Sequence, residues 1–496
     1  MGRPRIATLA GIVLATTITA LALPSAGMSA TCSFANGELE VALEQRERLT
    51  VMREGSLIGV RTSAPEPCAL VEAGQLEDVS ITGTPGRDVV VVDLAGGPIE
   101  GGAEEEAGIN EIELIVDLNS GAQDRLVVRA PAVGTTLVAG DGGVALNDDG
   151  DADVLSAGVE QVVLAGREGR DVLSGAGGRG TGGAASVSLR ISGGPGDDAI
   201  TGGRVADVLL GGAGRDDLSG ASGDDILVGG QGADLEAGGR GDDLFRQGRQ
   251  PDGNDLLFGQ AGTDTVSYAA RTGPVVVTIG VDADDGALGT LERDRVGSDV
   301  ETVVGGAADD VLRAPPRSIA PYALFGGSGA DILFGGAGDD LLNGGLGSDT
   351  VSYSHSRSRV RVDLRAGAAR GMGNDRLVGL EDVVGSRFGD LLRGNALDNV
   401  IDGWRGADQL RGRSGADSLV GGPGNDVLRG DAGNDELDGE AGADRLHGGP
   451  GNDLLLGRAG GDSLFGGEGR DTLDGGSARD LCVDEGNRRR ACERPL

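Results

Sequence analysis

A nine-residue period restricts what this chain can fold into more than any other feature. From Gly385 to Val483 the sequence divides without a gap into eleven nonapeptides, of which GGPGNDVLR (Gly421–Arg429) is representative. Every unit begins with Gly, and the fourth residue is Gly in eight of them. The sixth is Asp in ten, Asn399 being the exception, and the eighth is Leu or Ile in ten, with Cys482 in the last. The fourth-position misfits Phe388, Leu397 and Ala478 lie at the ends of the array, where stacked repeats need atypical capping units.

Such units cannot hold themselves together by oily contact. One buried Leu contributes roughly 1.5–3 kcal/mol, while ordering nine backbones costs about 1–2 kcal/mol each. Stacking also sets the sixth-position carboxylates one above another. Two charges about 5 Å apart repel by roughly 3 kcal/mol at an effective dielectric near 20. A divalent cation between turns reverses the sign of that interaction. Calcium takes six to eight hard oxygens, commonly carboxylates and carbonyls, and Gly permits the backbone angles that aim several carbonyls at one point.

The pattern GGxGxDxUx, with U a large apolar residue, resembles the hemolysin-type calcium-binding (RTX nonapeptide repeat) family. The resemblance implies an all-β chain whose parallel β-roll or β-solenoid arrays alternate turns with short strands, two nonapeptides making one coil. It also implies Ca2+ ions, several per chain, held between neighbouring turns on one edge by sixth-position carboxylates and turn carbonyls. Carried onto this sequence, the metal candidates are Asp198, Asp207, Asp216, Asp225, Asp234, Asp243, Asp255 and Asp264 in a first array. Asp331, Asp340 and Asp349 belong to a second array. Asp408, Asp417, Asp426, Asp435, Asp444, Asp453, Asp462 and Asp471 belong to the third. Folding and metal binding are expected to be one event.

Composition agrees with that expectation. The chain has 43 basic and 79 acidic residues, a formal charge of −36, 95 glycines and 2% aromatics, too lean for an ordinary globular core. No lysine occurs, which removes a P-loop lysine and Schiff-base chemistry. The acidic balance argues against nucleic acid or an anionic membrane as partner.

Residues 1–30 carry Arg3 and Arg5, an apolar run from Ile6 to Leu23, and small residues after it. This reads as a secretory signal peptide rather than an anchor or a lipoprotein signal at Cys32, so the chain is expected outside the cell with no membrane span after cleavage. Four cysteines in an exported chain suggest disulfides; Cys32 with Cys68 and Cys482 with Cys492 are the economical pairs. An N-terminal signal departs from the family's usual uncleaved C-terminal one and leaves the export route open.

From Thr31 to Ala165 the sequence alternates polar and apolar residues in short runs such as Asp88–Leu94, Ile112–Leu118, Arg125–Arg129 and Gln161–Leu164, which read as strands of a β-rich module, a degenerate solenoid. Faint units appear in GTPGRDVVV (Gly83–Val91) and GREGRDVLS (Gly166–Ser174). The acidic stretch Asn147–Leu155 places Glu160 at EF-hand distance from Asp149, but Val154 stands where that loop needs Gly; an acidic turn is expected. A Gly-rich linker with a degenerate repeat covers 166–192, and its GxGxxG (Gly175, Gly177, Gly180) is a chance match in so Gly-rich a chain.

The first array runs over 193–267, with Val205 in place of the fourth-position Gly and Glu236 in place of the apolar eighth residue. Those coils are expected to bind calcium weakly or not at all. A strand-rich connector (268–325, with a stray unit at Gly305–Arg313), a second array (326–352), a connector (353–384), the third array (385–483) and a C-terminal cap (484–496) follow. Arrays one and two both end in Asp-Thr-Val-Ser-Tyr, the mark of a higher-order repeat.

No catalytic motif emerges: His355 and His447 do not form HExxH and are expected to be exposed, and no GxSxG occurs. Two functions remain open. One is a secreted calcium-binding scaffold, adhesive or matrix-forming, whose partner is a surface or matrix glycan or a protein; the outward residues Ile226, Val228, Leu244 and Phe258 either form its contact face or, as is favoured, only raise strand propensity. The alternative is an extracellular polysaccharide-active lyase or epimerase with its site in Thr31–Ala165.

Overall fold

The computed structural model describes residues 154–484 apart from 179–180, 281–284 and 290–291; it also describes most strands between 30 and 145, and the strand 487–490. Residues 1–29, which hold the expected signal peptide, lie outside the described residues. The chain forms two compact units, Met1–Gly194 and Pro195–Leu496. Among the described residues strands and turns make up the fold, and no helix is long and apolar enough to cross a membrane.

In the first unit two ladders of parallel strands alternate along the chain. One joins Glu38–Leu43, Asp78–Thr82, Glu113–Asp117 and Val154–Ala157. The other joins Arg48–Glu54, Val89–Asp93, Arg125–Arg129 and Gln161–Ala165. Register advances by 36 residues from Val89 to Arg125 and again to Gln161, four nonapeptides per coil. Alternate side chains, such as Leu126 and Val128, are wholly buried, because successive Cβ atoms point to opposite faces.

The second unit shortens the step to 18 residues: Val208 pairs with Ile226, Asp217 with Leu235, and Val427 with Arg445. Two nonapeptides therefore make one coil, with odd and even units in different sheets. Eighth-position side chains fill the space inside, among them Leu209, Leu227, Leu455 and Leu464, which have no exposed surface.

The connectors extend the stack. At the first, one sheet ends with Arg295–Val296, which pairs with Leu256–Ala261. A new sheet begins with Val275–Thr278, paired to Val311–Arg313, while the strand Thr265–Ser267 passes its sheet on to Thr302–Val304. The second connector differs. The parallel ladder that reaches Asn374–Val378 turns back antiparallel through Ala368–Arg370 to Arg361–Asp363, from which parallel pairing resumes in the same sheet, while Thr350–Ser352 continues to Asp382–Val384. The first junction replaces one sheet and the second carries both sheets on.

Candidate metal centre

The sixth-position aspartates are bound to one another through the backbone. The Asp216 N–H donates to Oδ1 of Asp234, and the Asp198 N–H to Oδ1 of Asp216, both at 2.8 Å. The other edge carries the same series through Asp207, Asp225, Asp243 and Asp264 at 2.7–2.9 Å. In the third array one edge runs Asp408, Asp426, Asp444, Asp462 and the other Asp417, Asp435, Asp453, Asp471. Every sixth-position aspartate named from the sequence lies on such a ladder, Asp331 and Asp349 on one edge of the second array and Asp340 on the other.

One carboxylate oxygen is thus used and the other is left over. Oδ2 is buried without a hydrogen-bond partner in Asp216, Asp225, Asp234, Asp243, Asp264, Asp331, Asp340 and Asp349. The same is true of Asp408, Asp417, Asp426, Asp435, Asp444, Asp453 and Asp462. Unpaired buried carboxylate oxygens in such number are costly without a counter-charge. Their surroundings are oxygen-rich. A methyl group on Gly421 would sit 2.7 Å from Asp426 Oδ2 and 3.0 Å from the Gly439 carbonyl oxygen, eighteen residues on. At Gly403 the corresponding distances, to Asp408 Oδ2 and the Gly421 carbonyl, are both 2.7 Å. Fourth-position glycines stack more closely still: a side chain on Gly442, which has φ of +156°, would run 1.4 Å from the Gly424 carbonyl oxygen.

These donors fit a hard divalent cation, and calcium in particular. Among the described residues no three His, Cys, Asp or Glu side chains converge to hold a metal by themselves, so carbonyl oxygens must complete each set. Burial, ahead of the neighbouring carboxylates, pushes Asp225 and Asp408 up to about 8 and Asp216 and Asp444 to about 7, against the partial relief given by the ladder N–H.

Some turns are closed. In four units whose fourth residue carries a side chain, the second-position N–H turns inward and takes the spare oxygen. Gly203 donates to Asp207 Oδ2 at 2.6 Å below Val205, and Ser386 to Asp390 at 2.5 Å below Phe388. Gly306 does so to Asp310 beside Ala308, and Asn395 to Asn399 Oδ1 beside Leu397. The Arg167 N–H does the same to Asp171 with Gly169 at position four. The Ala478 unit does not close, its Gly476 N–H going to Asp474.

Several ladder members lie outside the three regular arrays, Asp375 in the near-complete unit Arg370–Val378 (RGMGNDRLV). Asp294 and Glu301 accept from Asp255 and Asp264 across the first junction, and Asp375 and Glu381 from Asp340 and Asp349 across the second. In the first unit the Asp88 N–H donates to Asp124 and the Asp124 N–H to Glu160, while Asp171 accepts from Thr135. Glu160 therefore caps a solenoid turn; Asp149 lies outside the described residues. Asp310, Asp390 and Asp480 sit at sixth positions that the period itself marks.

Ile226, Val228, Leu244 and Phe258 are half-buried. His355 is exposed, tilted against Phe334 at 5.5 Å. His447, expected in solvent, is half-buried because it lies flat on Phe465, ring centres 4.7 Å apart. Neither Cys32 nor Cys482 is a free thiol; Cys68 and Cys492 lie outside the described residues.

The family model for the RTX calcium-binding nonapeptide repeat matches residues 147–181, 190–209, 201–236, 210–245, 252–270, 323–351, 384–419, 411–446, 420–455 and 447–482. Its first match includes the acidic stretch and part of the segment read above as a linker. No curated protein matches the chain in sequence.

Proposed function

The chain belongs to the RTX calcium-binding nonapeptide-repeat family, and from that premise we propose that it is a secreted scaffold whose arrays fold as they take up calcium. The buried, partnerless Oδ2 atoms carry this reading. Sixth-position aspartates with Gly at position four would hold the ions together with turn carbonyls, and the ion would supply the positive charge that cancels carboxylate repulsion. The chain's own residues do the rest: ladder N–H groups orient each carboxylate, and the eighth-position row excludes water. The pairs Cys32–Cys68 and Cys482–Cys492 would pin the two ends in an oxidising exterior.

A contact surface supports an adhesive role. On one face of the third array Arg393, Arg411, Arg429 and His447 stand in register on successive strands. Arg365, Arg411, Arg413, Arg429 and His447 line a groove of about 820 Å³. Asp363 holds Arg413, and Asp431 holds Arg411; Arg365 and Arg429 have no ion-pair partner among the described residues. Like charges stacked across strands are unfavourable until an anion bridges them, and guanidinium groups suit carboxylate or sulfate. The partner inferred is therefore an anionic glycan. Binding of the full chain to polygalacturonate and heparin surfaces tests this, with and without chelator. The reading expects calcium-dependent retention that Arg429→Glu weakens; equal binding by that variant would contradict it.

A further inference from the structure

In the first array the eighth-position row reads Leu218, Glu236, Leu257 on three adjacent strands. Glu236 takes a place that is apolar on either side, and it is wholly buried. Both its carboxylate oxygens lack a hydrogen-bond partner, although the Gln247 side chain and the Gly229 N–H face it. Its direction explains what it could meet. A methyl group on Gly229 would lie 2.5 Å from Asp234 Oδ2 and 2.9 Å from Glu236 Oε1. Two partnerless oxygens, one from the ladder and one from the core row, thus converge beside one turn. Oδ1 of Asp234 is already committed to the Asp216 N–H at 2.8 Å.

We propose that Glu236 is a calcium ligand, sharing with Asp234 an ion at the Gly229–Asp234 turn. The proposal rests on the calcium-loading reading above and reverses the expectation that an acidic eighth residue weakens its coil. Two negative oxygens buried within about 3 Å of one point are tolerable only with a cation between them or with a proton on one. A divalent cation neutralises both carboxylates, whereas a proton shared between them leaves one buried negative charge without a counter-charge. A second carboxylate raises the ligand charge of this turn over its neighbours, and calcium affinity rises with ligand charge. The turn should therefore load first in its array.

Local hydrogen exchange of the full chain across a free-calcium series tests the assignment. Amides of 229–240 should become protected at lower calcium than those of 427–438 in the third array. Glu236→Leu restores the residue type found on both flanking strands, so it is compatible with the fold. It should shift the midpoint for 229–240 to about tenfold higher calcium or more and leave 427–438 unmoved. Glu236→Gln, which keeps one neutral oxygen ligand, should shift it less in the same direction. An unchanged or lowered midpoint in Glu236→Leu identifies a protonated core acid and overturns the proposal. Protection independent of calcium in both segments would overturn the calcium-loading reading as well.

Discussion

The Tyr353 hydroxyl donates to Oδ2 of Asp375 at 2.7 Å, while the Asp340 N–H donates to Oδ1 of the same carboxylate. Tyr268 and Asp294 repeat the arrangement at the first junction, at 3.0 Å. The phenol thus occupies the oxygen that is partnerless inside the arrays. Both tyrosines are buried, and burial pushes both phenols well up, so they stay donors. The shared Thr-Val-Ser-Tyr ending is thereby explained. Its Tyr leaves the sheet that continues and seals the last turn of the parallel ladder that stops. The next parallel ladder starts from Val275 and Val360, whose N–H groups donate to Asp310 and Asp390, both in closed turns. At each junction hydrogen bonds from Tyr and backbone N–H groups meet the carboxylate oxygens.

Tyr353→Phe removes the seal while keeping the ring. Leaving Asp375 Oδ2 buried and unmet should cost about 1–3 kcal/mol, read as faster exchange of the 350–378 amides in calcium-loaded protein. The third array should not change. Unaltered exchange would show that the hydroxyl is incidental.

Closed turns should not bind. Val205→Gly removes the side chain beside Asp207 and frees its Oδ2 from the Gly203 N–H. One additional calcium per chain is expected by equilibrium dialysis. An unchanged count would mean that the fourth residue does not decide occupancy.

Asp435 connects two coils: it accepts from the Asp417 N–H and its own N–H donates to Asp453, each at 2.9 Å. Asp435→Ala should lower calcium protection across 409–456 and spare 199–267, since solenoid repeats contact mainly their neighbours. Loss of protection in the first array would contradict modular loading.

Acidity should act in a defined direction. In the metal-free fold Asp216 rises to about 7 and Asp225 and Asp408 to about 8 from 3.8, chiefly by burial. The folded state then binds more protons than the unfolded chain between about pH 4 and pH 8, so its metal-free stability falls as pH rises through that window. Calcium needs the ionised form. The calcium midpoint for strand formation, followed by circular dichroism, should therefore move to higher calcium as pH drops from about 8 to about 6. A midpoint flat in pH would place the carboxylates outside the sites.

Legibility in the sequence followed periodicity. Where Gly, Asp and Leu recur every nine residues, strand, turn and ladder position could all be read, as for Asp408 to Asp471. Asp294, Asp375 and Glu381 escaped because their turns keep only part of the glycine pattern (Gly289; Gly371 and Gly373; Gly379) and arrive after insertions of irregular length. The 36-residue coils of the first unit were faint because only Asp88 and Asp171 lie in recognisable units. The convergence of Glu236 with Asp234 depends on side-chain direction within a coil, which spacing alone does not reveal. The stacking of His447 on Phe465 is a relation between strands eighteen residues apart, visible only once the coil length is fixed.

The most direct measurement is far-ultraviolet circular dichroism of the full chain after exhaustive chelation, then through a calcium titration and a parallel magnesium titration. The account expects a largely unstructured chain at pH near 8 that gains strand signal with calcium up to about millimolar, and little with magnesium, whose octahedral shell is too small and rigid for these turns. A full strand signal and unchanged melting in the metal-free chain would contradict it.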